Sequence, residues 1–144
     1  MQRVLIASDA QWVIAEVRSV LSDQECEVLE VHTGAAVLPT VEQHEPDLVI
    51  ADLQIGNMGA MAVCLELRLE ESADRLDHVP VLMLLDRRAD VFLARRSEAD
   101  GWLVKPLDPI RLRKAIGALV AGRTYFDTSY LPRPVLVGPD GAEG

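Results

Sequence analysis

Short, continuously apolar runs alternate along the chain with longer segments whose apolar positions recur at helical spacing. Residues 3–8 (RVLIAS) are apolar at every inner position, the pattern of a strand covered on both faces. Ile14, Val17 and Leu21 then fall on one stripe, which predicts an amphipathic helix over 10–21. Residues 27–31 predict a short strand, polar on one side and so nearer a sheet edge, ended by Gly34. Residues 35–44 read as helix, with Pro39 either kinking it or starting its regular part. A second buried strand is predicted over 47–52 (DLVIAD), then a loop over 53–59 carrying Gly56 and Gly59, a helix over 60–70 and a charged loop over 71–78. Residues 79–85 (VPVLMLL) form the third fully apolar run, followed by a short helix over 90–99 and a strand over 102–104. Over 108–121, Ile110, Leu112, Ala115, Ile116 and Leu119 line the inner side of a last helix. Five strands and five helices in strict alternation predict an α/β domain, because parallel neighbours need a helical crossover.

Residues 123–144 change character. They hold Pro132, Pro134 and Pro139, three glycines and no helical period, so they read as an extended tail, not a second domain. The tail nevertheless carries Tyr125, Phe126, Tyr130, Leu131 and the run Val135–Val137, more apolar surface than an inert tail needs. The expectation is that these residues anchor a partner and that the core does not need them. The competing expectation is that the segment folds back on its own domain.

Composition narrows the classes. With 144 residues, 49% hydrophobic and 26% charged, the chain fits one self-sufficient globular domain. A net charge of −9 argues against general nucleic-acid binding, which needs a positive field. Twelve of the fourteen basic residues are arginine, for which nothing in the sequence gives a physical reason. Cys26 and Cys64 are too few for a disulfide framework or zinc site and read as reduced thiols in or near the core. His32, His44 and His78 show no ligand-like spacing and read as surface residues. With no signal-peptide pattern and no 18-residue apolar stretch, a cytoplasmic location is expected, free or peripheral to a membrane complex.

In a parallel α/β sheet, chemistry collects at the carboxyl ends of the strands. Asp9, Asp52 and Lys105 fall there and are expected to converge, two carboxylates and an ammonium in one shallow pocket. Two carboxylates beside a backbone carbonyl suit Mg²⁺, and a lysine beside them suits a phosphoryl group. A salt-bridged cluster closing the top of the sheet is the structural alternative. An enzyme is not expected: the chain has no nucleophile–base pair, glycine-rich phosphate loop or cofactor fingerprint.

VLIASD at 4–9, PDLVIADLQIGNMGA at 46–60, VPVLMLL at 79–85 and ADGWLVKPL at 99–107 together resemble the receiver domain of two-component response regulators, the CheY-like superfamily. The resemblance implies a single receiver domain over 1–122, with a doubly wound, flavodoxin-like, five-stranded parallel sheet in the order 2-1-3-4-5. It further implies that Asp52 is the phospho-acceptor, that Asp9, Asp52 and the Gln54 carbonyl ligate Mg²⁺, and that Lys105 pairs with the phosphoryl oxygens across a cis Lys105–Pro106 bond. The chain departs from the family at several positions. Ser8 replaces an acid, so Mg²⁺ is expected to bind weakly or not at all. Leu85 replaces the hydroxyl residue that follows the anion, and Asp86 adds charge where a small residue is usual. Gly56 and Ala60 replace a proline and a glycine. Trp102 stands at the switch aromatic's place and is expected simply to pack.

The expected function is therefore a degenerate receiver, or pseudo-receiver, acting by protein–protein binding, as an accessory subunit of a larger complex. The alternative is a phosphorylatable regulator in a phosphorelay, served by a sensor histidine kinase. Over its whole length the chain resembles stand-alone orphan receivers of actinobacteria, some of which look like accessory subunits of the respiratory NADH:quinone oxidoreductase (NADH dehydrogenase). Between Asp86 and Lys114, basic residues outnumber acids eight to five, while the remainder carries an excess of twelve acids. Arg87, Arg88, Arg95, Arg96, Arg111 and Arg113, with Trp102 and the tail residues Tyr125, Phe126, Tyr130 and Leu131, are the expected partner surface, facing an acidic protein. No direct DNA binding is expected.

Overall fold

Strand and helix alternate from the first described residue to the last helix, and parallel pairing follows from that alternation. The structure is a computed structural model and describes residues 2–128. In chain order it holds β1 (Gln2–Ala7), α1 (Gln11–Leu21), β2 (Cys26–Val31), α2 (Val37–His44), β3 (Leu48–Asp52), α3 (Ala60–Ser72), β4 (Val81–Leu85), α4 (Val91–Arg96), β5 (Gly101–Val104), α5 (Pro109–Val120) and β6 (Tyr125–Phe126). The strands lie in the order β2-β1-β3-β4-β5-β6, every pair parallel.

Alternation of side chains across the sheet divides the core in two. Leu5, Ala7, Val49, Ala51, Val81, Met83, Leu85 and Trp102 meet α2, α3 and α4 on one face. Val4, Ile6, Leu48, Ile50, Leu82, Leu84 and Leu103 meet α1 and α5 on the other. β3 and β4 are buried at every position, as their unbroken apolar runs require. Each Val, Leu, Ile or Met among them contributes roughly 1.5–3 kcal/mol on burial, which fixes the register and the strand ends that carry the polar groups.

Three helix boundaries move by two residues or more from the sequence reading, β4 starts two residues later at Val81, and the other ends shift by at most one. Proline lies in the first turn of α2, where its missing N–H costs nothing, after a tight turn at Gly34–Ala36. α3 runs on to Ser72 because Arg68 and Glu71 pair across one turn. α4 stops at Arg96, where the Ser97 hydroxyl donates to the Leu93 carbonyl and Glu98 takes a left-handed conformation.

Among the described residues the sheet has six strands where five were expected. The sixth comes from the segment read as a tail. Tyr125 N–H donates to the Asp100 carbonyl and Asp127 N–H to that of Trp102, extending the ladder outward from β5. Phe126 stacks on Trp102 with ring centroids 4.4 Å apart, and Tyr125 packs on the α5 side. The buried Asp127 carboxylate accepts the Val104 N–H at 3.0 Å. Gly101 permits this approach, because a Cβ there would stand 2.6 Å from the Tyr125 carbonyl oxygen. Tyr125 and Phe126 are thus built into the domain's edge, while the expectations for Tyr130, Leu131 and 135–137 lie outside the described residues.

Candidate functional site

β1, β3 and β5, with β4 between the last two, bring their carboxyl ends to the same end of the sheet, and each apolar run stops there at a polar residue. Asp52 closes β3, is 3% exposed and has both carboxylate oxygens engaged. Oδ1 accepts from Lys105 Nζ at 2.8 Å and from the Gln54 N–H at 3.4 Å. Oδ2 accepts from the Ser8 hydroxyl at 2.9 Å. Ser8, fully buried, accepts in turn from the Ala10 N–H at 3.0 Å, which aims its single proton at Asp52. Lys105 Nζ also donates to Asp86 Oδ1 at 2.8 Å and lies 5.5 Å from the centre of the Trp12 ring. Burial alone would lower the Lys105 pKa, but its bonds to Asp52 and Asp86 outweigh that and raise it, so it stays an ammonium.

The expected convergence is partial. Asp52 and Lys105 meet directly, whereas Asp9 Oδ2 accepts from the Gly56 N–H at 3.3 Å, on the exposed rim. The loop carrying Gly56 is held by its neighbour: Gly34 N–H and Ala35 N–H donate to the carbonyls of Gly56 and Asn57. Only glycine fits at 34, since a Cβ would lie 1.8 Å from the Met58 carbonyl oxygen. Leu85 is fully buried, packed with Trp102 in the α4-side core, so an apolar side chain stands where the expected switch needs a hydroxyl. The Lys105–Pro106 bond is cis.

Ser8 contributes a neutral oxygen whose proton is already given to Asp52, and Asp52 already accepts from three protein donors. Among the described residues no group of three or more His, Cys, Asp or Glu could hold a metal ion.

The basic residues surround the β5 end of the sheet. Arg87 pairs with the buried Asp90, while Arg111 pairs with Asp108 and Arg113 with Asp23 at the surface. Arg88 and Arg96 are exposed, and the Arg95 guanidinium sits 5.5 Å from the Trp102 ring centre. Trp102 itself is buried, and its Nε1–H has no partner among the described residues. Phe92 and Ile110 add exposed apolar surface to α4 and α5.

Sequence reasoning missed Trp12, the Asp86–Lys105 contact and a second charged cluster at the opposite edge of the sheet. There Arg68, nearly buried on α3, binds Glu71, Asp100 and the carbonyls of Val79 and Glu98, while His78 bridges Glu71 and Asp100. One signal was readable, an arginine on the inner stripe of a helix otherwise lined by Val63, Cys64 and Leu67. Burial of Cys64 holds its thiol protonated, its pKa pushed up to about 12.

A sheet of this order, with an acid closing β3 and Lys-Pro closing β5, defines the response-regulator receiver architecture. Residues 4–117 match the response regulator receiver domain, and the chain belongs to that family. The DNA-binding response regulator MtrA of Mycobacterium tuberculosis is 30% identical over 113 residues, 77% of this chain and 47% of MtrA. PleD, a response regulator of Caulobacter vibrioides, is 25% identical over 127 residues, 87% of this chain and 27% of PleD. The chain spans about half, or less, of the length of these curated relatives. Among solved structures, the chemotaxis response regulator CheY4 of Vibrio cholerae superposes with a TM-score of 0.72 at 25% identity, covering 83% of this chain and 98% of CheY4. A LuxR-family two-component response regulator from Aurantimonas sp. SI85-9A1 reaches 0.76 at 22% identity, covering 88% and 90% of the two chains. Receiver domains are in general signalling domains and not enzymes. No helix among the described residues is long and apolar enough to cross a membrane.

Proposed function

We propose that the protein is a degenerate receiver that works by binding another protein, its acid pocket satisfied by its own side chains. The observation that carries this reading is the closure around Asp52: both carboxylate oxygens and the Lys105 ammonium already have short protein partners. Each such donor draws electron density from the carboxylate and lowers its nucleophilicity toward phosphorus, and the metal that would compensate finds only a weak donor set. The binding surface in this reading is the arginine-rich α4–α5 side with Phe92 and Ile110, and the partner is acidic. Membership of a larger assembly, with the respiratory NADH dehydrogenase supplied by the whole-chain resemblance, belongs to the same proposal. So does the lack of direct DNA binding, supported by the net charge of −9.

The test compares native and Asp52→Asn protein. Intact-mass analysis after incubation with Mg²⁺ and acetyl phosphate should show no phosphoryl adduct on the native chain. Both proteins should co-purify the same acidic partner to the same extent. Stoichiometric labelling of Asp52, with partner binding that depends on it, establishes the phosphorelay reading instead.

A further inference from the structure

Lys105 has three N–H donors, and the structure accounts for where they point. Two reach carboxylates, Asp52 Oδ1 and Asp86 Oδ1, at 2.8 Å each. The Trp12 ring lies within cation–π range of the same ammonium. The two carboxylates are held very differently. Asp52 is at the end of a fully buried strand, with further donors from Ser8 and Gln54. Asp86 sits just past the end of β4 with its side chain 32% exposed, and among the described residues Lys105 is the hydrogen-bond partner of its carboxylate. One anion is part of the wall; the other hangs at the mouth and is free to leave without breaking any other bond.

Resting on the reading of this pocket given above, we propose that Asp86 is a tethered anion that occupies on Lys105 the place an incoming oxyanion needs, and so sets the pocket's threshold for phosphoryl-like ligands. Tethering gives the carboxylate a high effective concentration at Lys105 that a dissolved oxyanion must outcompete. Charge acts in the same direction. Asp52 and Asp86 already exceed the single ammonium by one negative charge, and a further anion entering with Asp86 in place meets like charge on two sides. An anion entering with Asp86 swung out meets Lys105 unshared. Leu85 and the Arg87 N–H bond to Asp90 fix the backbone on either side of Asp86, so the choice is made by its side chain alone.

The chain contains two lysines, Lys105 and Lys114, so protein labelled with ¹⁵N at the lysine Nζ reports on the pocket directly. Native protein, Asp86→Asn and Asp86→Ala are titrated with beryllofluoride and Mg²⁺, and each is repeated in a Ser8→Asp background that supplies the missing metal ligand. Removing the Asp86 charge should lower the beryllofluoride concentration that shifts Lys105 about tenfold in the Ser8→Asp background. Inorganic phosphate separates a free anion from one seated on Asp52. In Asp52→Asn/Asp86→Asn the Lys105 response to phosphate should survive while that to beryllofluoride is lost. Equal titration midpoints with and without Asp86, no response in any background, or a change confined to melting temperature overturns the proposal and leaves Asp86 a structural ion pair. Tight beryllofluoride binding by the native chain that is tighter still without Asp86 would instead overturn the closed-pocket reading while sustaining the role of Asp86.

Discussion

Ser8 is the smallest departure from the family pattern and has the widest effect. Its hydroxyl is a neutral donor, so it satisfies Asp52 in the ground state without the repulsion a second acid would bring. Mg²⁺ binding by the native protein should be undetectable at about 1 mM, the scale of weak divalent sites. Ser8→Asp should bring it into range; calorimetry showing the native chain already saturated below that concentration contradicts this. Asp52, Asp9 and Lys105 were legible because an apolar run that stops at a charged residue marks a strand's carboxyl end. The proton direction at Ser8 and the reach of Asp86 were not legible. Both depend on rotamers chosen across the ends of β1, β3, β4 and β5, which no local spacing encodes.

At the scale of elements, the segment 125–127 changes what truncation should do. It was expected to be dispensable for the core. Instead Phe126, 47% exposed, covers Trp102, and Asp127 satisfies a backbone N–H at the end of β5. Phe126→Ala should cost about 0.5–1.5 kcal/mol, the worth of an aromatic pair, and Asp127→Ala about 1–3 kcal/mol by orphaning the Val104 N–H. Urea denaturation reads both, and unchanged midpoints would restore the picture of a free tail. Two residues are too short a run to show strand alternation, which is why this element was missed while the five longer ones were found. The cluster joining α3, β4 and β5 carries a pH dependence. Burial alone would lower the His78 pKa, but its bonds to Glu71 and Asp100 raise it above the ordinary 6.5. A raised folded-state value contributes stability that is complete below 6.5 and is lost as pH rises through the folded pKa. The effect should stay below about 1 kcal/mol because the ring is more than half exposed. Melts taken on either side of that window should differ in the native protein and not in His78→Gln; a melting temperature that climbs with pH through it reverses the sign.

For the whole molecule, the order of the five longer strands followed from the family resemblance, and their parallel pairing from alternation and continuous burial; the sixth is set by a contact with β5 that no sequence period marks. The packing around Trp102 bears on switching. Leu85 and Trp102 share one hydrophobic core, and Trp102 is held between the α4 side and Phe126. In the reading proposed above, an anion seated at Asp52 makes no differential contact there, so nothing would bias the α4–β5 side toward a second state. In the Ser8→Asp/Asp86→Asn protein, beryllofluoride should shift Lys105 while leaving the Trp102 indole and the α4 amides nearly in place. Large shifts on α4 would show that the pocket drives that surface after all.

β6 also bears on colloidal behaviour. An open parallel sheet ends in strands with unsatisfied amides, and such margins recruit other chains when they are long and apolar. β5 is a margin of that kind, with Trp102, Leu103 and Val104 in sequence. The two-residue strand hems it, presenting a border too short to template further growth, with a carboxylate closing its end. A chain cut at residue 122 should therefore lose solubility more than it loses fold, forming soluble oligomers or precipitate at concentrations where the longer chain stays monodisperse, as light scattering would show.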